Sequence, residues 1–142
     1  MMRTDAEWIS ESLEIAAEYV DDLSPCVYQR FFAVMPEARE LFGGDCDRSL
    51  QGRMLNAILL TILDQAAGRL NRAHVQTWAM DHRMWEVSAG MFPAMLNGLQ
   101  DAVRESVGTR WMGGHQEAWE RQVSQLLETI DQGYGAAVPA LG

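Results

Sequence analysis

The chain has 142 residues, 48 % of them hydrophobic and 22 % charged, which suits one folded domain and excludes wholesale disorder. Its formal net charge is −9 and its 11 basic side chains are all arginines, scattered from Arg3 to Arg121, so neither nucleic acid nor an anionic membrane surface is an expected partner. The longest apolar run, 57–63, is too short to cross a bilayer, and the opening MMRTDAEW carries no secretion-like stretch, so a cytoplasmic protein is expected.

In chain order, Thr4 and Glu7 form a capping box ahead of a first helix expected to bury Trp8, Leu13, Ala16, Ala17 and Val20. Ser24 as N-cap and Pro25 in the first helical position start a second helix, which carries Val27, Tyr28, Phe31 and Phe32 to about Val34. Pro36 opens a short third helix that ends at Phe42, before Gly43 and Gly44. Asp45 or Asp47 caps a fourth, running to about Ala67 with an apolar stripe of Leu50, Met54, Leu55, Ile58, Leu59 and Ile62; Gly68 stops it. Asn71 caps a fifth through His82, whose stripe is Val75, Trp78, Ala79 and then His82 itself. A sixth spans about 88–107 and ends at Gly108, and a seventh spans about 115–130. Residues 131–142 read as a frayed, glycine-rich tail.

Period-2 alternation is almost absent, so the prediction is an all-α fold of about seven helices in one domain, 1–142. The second, third and fourth helices are joined too tightly to run side by side, which favours a globular helical sandwich over an up-and-down bundle. Cys26 and Cys46 lack CxxC spacing and are expected to be free thiols, and no zinc-ligand spacing connects them to His74, His82 or His115.

His82 has two readings. It is a core histidine bonded to a backbone carbonyl, or a neutral imidazole presented to an apolar pocket as the one protein ligand of a haem iron. Phe31, Phe42, Leu55, Trp78, Val87, Phe92 and Trp119 supply the apolar surface such a pocket needs. Tyr28 is either a half-buried core tyrosine or a hydroxyl for a bound ligand, and Gln51 either an ordinary first-turn residue or an amide for the same purpose.

Four segments then carry a resemblance. YQRFFAVMPEARELF (28–42) resembles the join between the second and third helices of bacterial globins, and QGRMLNAIL (51–59) is similar to their distal helix. HRMWEVSAGMFPAML (82–96) resembles the stretch that follows their iron-ligating histidine, and EAWERQ (117–122) the start of their last helix. The nearest patterns are those of single-domain bacterial haemoglobins and the globin domain of flavohaemoglobins.

The resemblance implies a globin fold around a haem pocket, with His82 as iron ligand and Tyr28 and Gln51 as the distal pair that stabilises bound dioxygen. It implies haem contacts at Leu55, Phe42, Trp78, Val87 and Phe92. Arg53 either reaches a propionate or is a solvated surface arginine. Trp85 either packs beneath the haem or lies on the surface.

Four positions depart from the pattern. Phe92 stands where flavohaemoglobins carry a tyrosine supporting the histidine, and Tyr134 falls near their supporting glutamate. Asp81 replaces a common lysine, and Glu86 the usual glycine before Val87. Loss of that support weakens electron donation by the histidine, which favours reversible binding over peroxide chemistry.

The expected function is therefore a haem b protein that binds dioxygen, nitric oxide and carbon monoxide, as a store or carrier. With a separate reductase it would act as a nitric oxide dioxygenase. A gas or redox sensor, or a protein-interaction globin, is the alternative, and a peroxidase-like activity the weaker one. A monomer or a homodimer is expected.

Overall fold

The first helix starts as its sequence requires. The Thr4 hydroxyl accepts the Glu7 N–H at 3.2 Å and the Glu7 carboxylate accepts the Thr4 N–H at 3.2 Å, so two orphan donors are satisfied reciprocally. The structure, a computed structural model, describes residues 2–43 and 48–136. In chain order it contains α1 (Asp5–Tyr19), α2 (Ser24–Val34), a 3-10 helix (Pro36–Phe42) and α3 (Ser49–Ala66). There follow α4 (Arg72–Met84), α5 (Met91–Val107), a 3-10 turn (Gly108–Arg110) and α6 (Gly113–Ala136). Among the described residues there is no strand, so the fold is all-α, and no helix is long and apolar enough to cross a membrane.

α6 packs along α1 and α4 and also touches α3 and α5; α1 and α2 lie on α5, and α2 crosses α3. The centre of the core is Ile9, Ile62, Leu99 and Trp119, all fully buried. α1 turns Ile9, Ser12, Ile15 and Ala16 inward, whereas Ala17 is exposed, a rotation from the expected face. Ser12 explains the rotation. Its hydroxyl donates to the Ile9 carbonyl at 2.7 Å and accepts the indole N–H of Trp119 at 2.9 Å. Trp119 thus belongs to the α1–α6 core rather than to a pocket.

Several boundaries differ from the sequence reading. Ser24 is already helical, and the carboxylate of Asp22 accepts its N–H at 2.9 Å. Asp45 and Asp47, the expected caps of α3, lie outside the described residues, as does Cys46; Cys26 is a free, half-buried thiol. α4 runs to Met84, past His82, and α5 begins at Met91. α6 continues to Ala136, so residues 131–136 of the expected frayed tail are helical, and 137–142 lie outside the described residues.

The extra length of α6 has a physical cause. The side-chain oxygen of Gln132 accepts from Arg72 at 3.0 Å and from Gln76 at 3.1 Å, both on α4. Gly133 lies so close to α4 that a Cβ there would sit 2.4 Å from the Gln76 carbonyl oxygen. A glycine of the expected frayed tail is what permits the two helices to meet.

Candidate functional site

α4 carries the site. The Asn71 side chain caps it, accepting the His74 N–H at 3.1 Å, and its inward face is Val75, Ala79 and His82. His82 is 8 % exposed. Its Nδ1 lies 2.7 Å from the carbonyl oxygen of Trp78, one helical turn earlier. A carbonyl only accepts, so Nδ1 carries the proton and Nε2 carries the lone pair. No described residue hydrogen-bonds Nε2.

Burial pushes the His82 pKa below its ordinary value, opposed by the Trp78 carbonyl and the Asp81 charge. The imidazole is therefore neutral near pH 7. Aromatic rings crowd it, with centroids at 4.0 Å for Trp78, 5.2 Å for Trp85 and 6.0 Å for Phe92.

His82 opens onto a cavity of about 540 Å³, within the ordinary range for small-molecule sites. Phe31 of α2 and Leu41 and Phe42 of the 3-10 helix form one part of its wall, and Leu50, Met54 and Ile58 of α3 another. Trp78, His82, Trp85 and Val87 close the α4 side, with Met91, Phe92 and Met95 of α5 beneath. His82 is the only ionisable side chain among these lining residues. A smaller hollow of about 170 Å³ shares Met54, Ile58, Trp78, Phe92 and Met95 with the cavity and reaches Leu126 and Ile130 of α6.

The end of α4 fixes the wall next to His82. The Val87 N–H donates to the His82 carbonyl and the Glu86 N–H to the Arg83 carbonyl, both at 3.0 Å, and Glu86 has φ +67°. This is a Schellman closure with a left-handed residue after the helix, a conformation that favours glycine. α3 ends in the same way: Arg69 donates to the Asp64 carbonyl, Gly68 to the Gln65 carbonyl, and Gly68 has φ +75°. One closure was legible from its glycine and the other was hidden by a glutamate.

The structure brings Phe31, Phe42, Trp78, His82, Val87 and Phe92 to one cavity, out of five different parts of the chain. Tyr28 and Gln51 also meet, the Tyr28 hydroxyl donating to the Gln51 backbone carbonyl at 3.0 Å. They border a separate recess of about 430 Å³ with Arg39 and Arg48, not the His82 cavity. Leu55 is buried in the core away from the cavity wall, and Arg53 is exposed. The cause is the rotation of α3. Leu50, Met54 and Ile58 recur at four-residue spacing on the cavity side, and each next residue turns about 100° away.

Of the other lining residues, Leu50, Met54 and Ile58 stood in the expected apolar stripe without a pocket role, and Leu41, Met91 and Met95 were not singled out. The available signal was the abundance of methionine, nine in the chain, since unbranched thioether side chains fill irregular apolar surfaces. Trp85, left undecided by the sequence, is 63 % exposed at the cavity edge.

A neutral imidazole in this setting can donate its Nε2 lone pair to a metal or accept a hydrogen bond. Among the described residues no three His, Cys, Asp or Glu side chains converge. A metal held by His82 would therefore bring its other ligands with it, as the metal of a flat macrocycle does. The apolar walls and the single free nitrogen fit such a group. No protein-family model and no curated protein matches the chain.

Proposed function

We propose that the cavity binds haem b through Nε2 of His82, in a globin-like helical sandwich, and that the protein reversibly binds dioxygen, nitric oxide and carbon monoxide. One observation carries this reading: a buried, neutral histidine with its Nδ1 occupied faces an apolar cavity of suitable size with its other nitrogen free. The order of the helices and their crossings, α2 on α5 and α4 on α6, support it. So does the way α3 and α4 line one cavity without packing extensively on each other.

Haem held by His82 would supply an iron that takes up a diatomic gas, and with dioxygen as the oxidant of nitric oxide to nitrate a separate reductase would return that iron to the ferrous state. The chain's own residues set the conditions. The Trp78 carbonyl fixes the tautomer and rotation of His82. Because that partner is a neutral carbonyl and not a carboxylate, it adds little to the donor strength of the imidazole, which suits reversible binding better than peroxide activation. Trp78, Phe92 and Met95 keep water from the cavity floor. Tyr28 stabilises a bound ligand only if its hydroxyl leaves the Gln51 carbonyl, because the α3 wall of this cavity is apolar.

The test is the His82→Gly variant with haem. It is expected to lose the Soret band and to regain it when free imidazole fills the gap. A variant that keeps the wild-type spectrum without imidazole would rule out the ligand assignment.

A further inference from the structure

Besides the His82 cavity, α2, the 3-10 helix and the start of α3 enclose a recess of about 430 Å³. Tyr28, Gln29 and Phe32 of α2 line one side of it, and Arg39, Arg48 and Gln51 the other. The Tyr28 hydroxyl ties the two sides together through the Gln51 carbonyl at 3.0 Å, so the hollow is preformed. It shares no lining residue with the His82 cavity.

Its charge is unlike that of the rest of the molecule. The chain carries a net charge of −9, yet two guanidiniums and no carboxylate line this recess among the described residues. Of the 11 arginines, Arg3, Arg30, Arg69, Arg104, Arg110 and Arg121 pair with carboxylates. Arg72 and Arg83 bond to α6. Arg39 and Arg48 have neither kind of partner among the described residues, and both face this one hollow. Arg39 lies 4.9 Å over the Phe32 ring, a contact that orients its charge without neutralising it. Two like charges on one concave surface repel each other, and nothing on the described walls offsets that repulsion.

We propose that the recess binds an oxyanion, the carboxylate or phosphate of a small molecule. A guanidinium presents its N–H groups as a planar fork that matches two oxygens of such a group. The Gln29 amide supplies a further donor, and the Phe32 ring gives apolar surface to the rest of the molecule. The volume is within the ordinary range for small-molecule sites. The negative charge of the whole chain turns polyanions away, so the ligand is small. With no wall shared between recess and cavity, the inference does not rest on the haem reading.

The test titrates the full-length, isotope-labelled chain with sodium phosphate and, separately, with sodium acetate, at constant ionic strength. The side-chain amides of Gln29 and Gln51 and the backbone amide of Arg39 are expected to shift along a saturating curve with at least one anion. The tighter of the two identifies the group as phosphate or carboxylate. Arg39→Gln and Arg48→Gln are each expected to weaken binding about tenfold, the scale of one lost charge-assisted hydrogen bond. Arg69→Gln changes the charge equally outside the recess and is expected to leave binding unchanged. All three arginines are exposed, so the variants keep the fold, which an unmoved His82 ring resonance verifies. Absent or linear shifts with both anions would overturn the proposal. So would equal weakening in Arg69→Gln, because the anion would then be drawn by diffuse charge alone.

Discussion

At the scale of single residues, Glu86 is the most exposed to test. It takes a left-handed conformation at φ +67°, which costs an L side chain about 1 kcal/mol relative to glycine. Glu86→Gly is therefore expected to raise the unfolding free energy by about 0.5–1 kcal/mol. Urea denaturation measures this, and a lower midpoint in the variant would show that the glutamate side chain contributes more than its backbone costs. The sequence marked Glu86 only as a departure from glycine; the geometry supplies the reason glycine belongs there.

His82 gives a pH dependence whose sign is fixed. Its folded pKa is depressed below the ordinary 6.5, so between the two values the unfolded chain binds more protons. Its contribution is then complete above pH 6.5 and is lost as pH falls below it. The carboxylates of Asp5, held low chiefly by Arg121, and of Glu11, held low chiefly by Arg3, act in a lower window, because their ordinary values are 3.8 and 4.5. Comparing urea midpoints at pH 7.5 and 5.5 in wild type and His82→Gln separates the windows. The wild type is expected to lose more stability over that interval, and equal losses would refute the burial argument.

At the scale of elements, two contacts decide how α6 sits. Gly133→Ala places a methyl group against the Gln76 backbone, and because neither helix can give way there the expected cost is about 1–3 kcal/mol. Ser12→Ala leaves the fully buried Trp119 indole N–H without its acceptor, again a cost of about 1–3 kcal/mol. Thermal denaturation checks both, and a change within experimental error in either would show that the helix pair relaxes around the substitution.

Helix starts were legible where a side chain does the capping, as at Thr4 and Asn71. Helix ends were legible where glycine takes the left-handed position, as at Gly68 and Gly108. The end of α4 and the last turns of α6 were not, because Glu86 does glycine's work in one place and a tertiary contact overrides glycine's low propensity in the other. The rotation of α3 escaped as well. Its apolar residues are too many to say which narrow stripe faces a cavity, so Gln51 and Leu55 were expected where Leu50 and Met54 stand.

At the scale of the whole molecule, the site is a product of crossing helices. Six of the expected residues converge although they come from α2, the 3-10 helix, α4, the connection after it and α5. Composition could place them on buried faces; only the crossing angles bring those faces around one cavity. The same crossings separate Tyr28 and Gln51 from His82, leaving an apolar wall where hydrogen-bonding groups were expected.

His82 presents a free nitrogen to the cavity proposed to hold haem. The most direct measurement is the absorbance spectrum of the haem-reconstituted protein, ferrous, with and without carbon monoxide. Ligation by His82 is expected to give one haem per chain, a Soret band that shifts on adding carbon monoxide, and the loss of both in His82→Ala. A protein that stays colourless, or a His82→Ala variant with an unchanged spectrum, would contradict it.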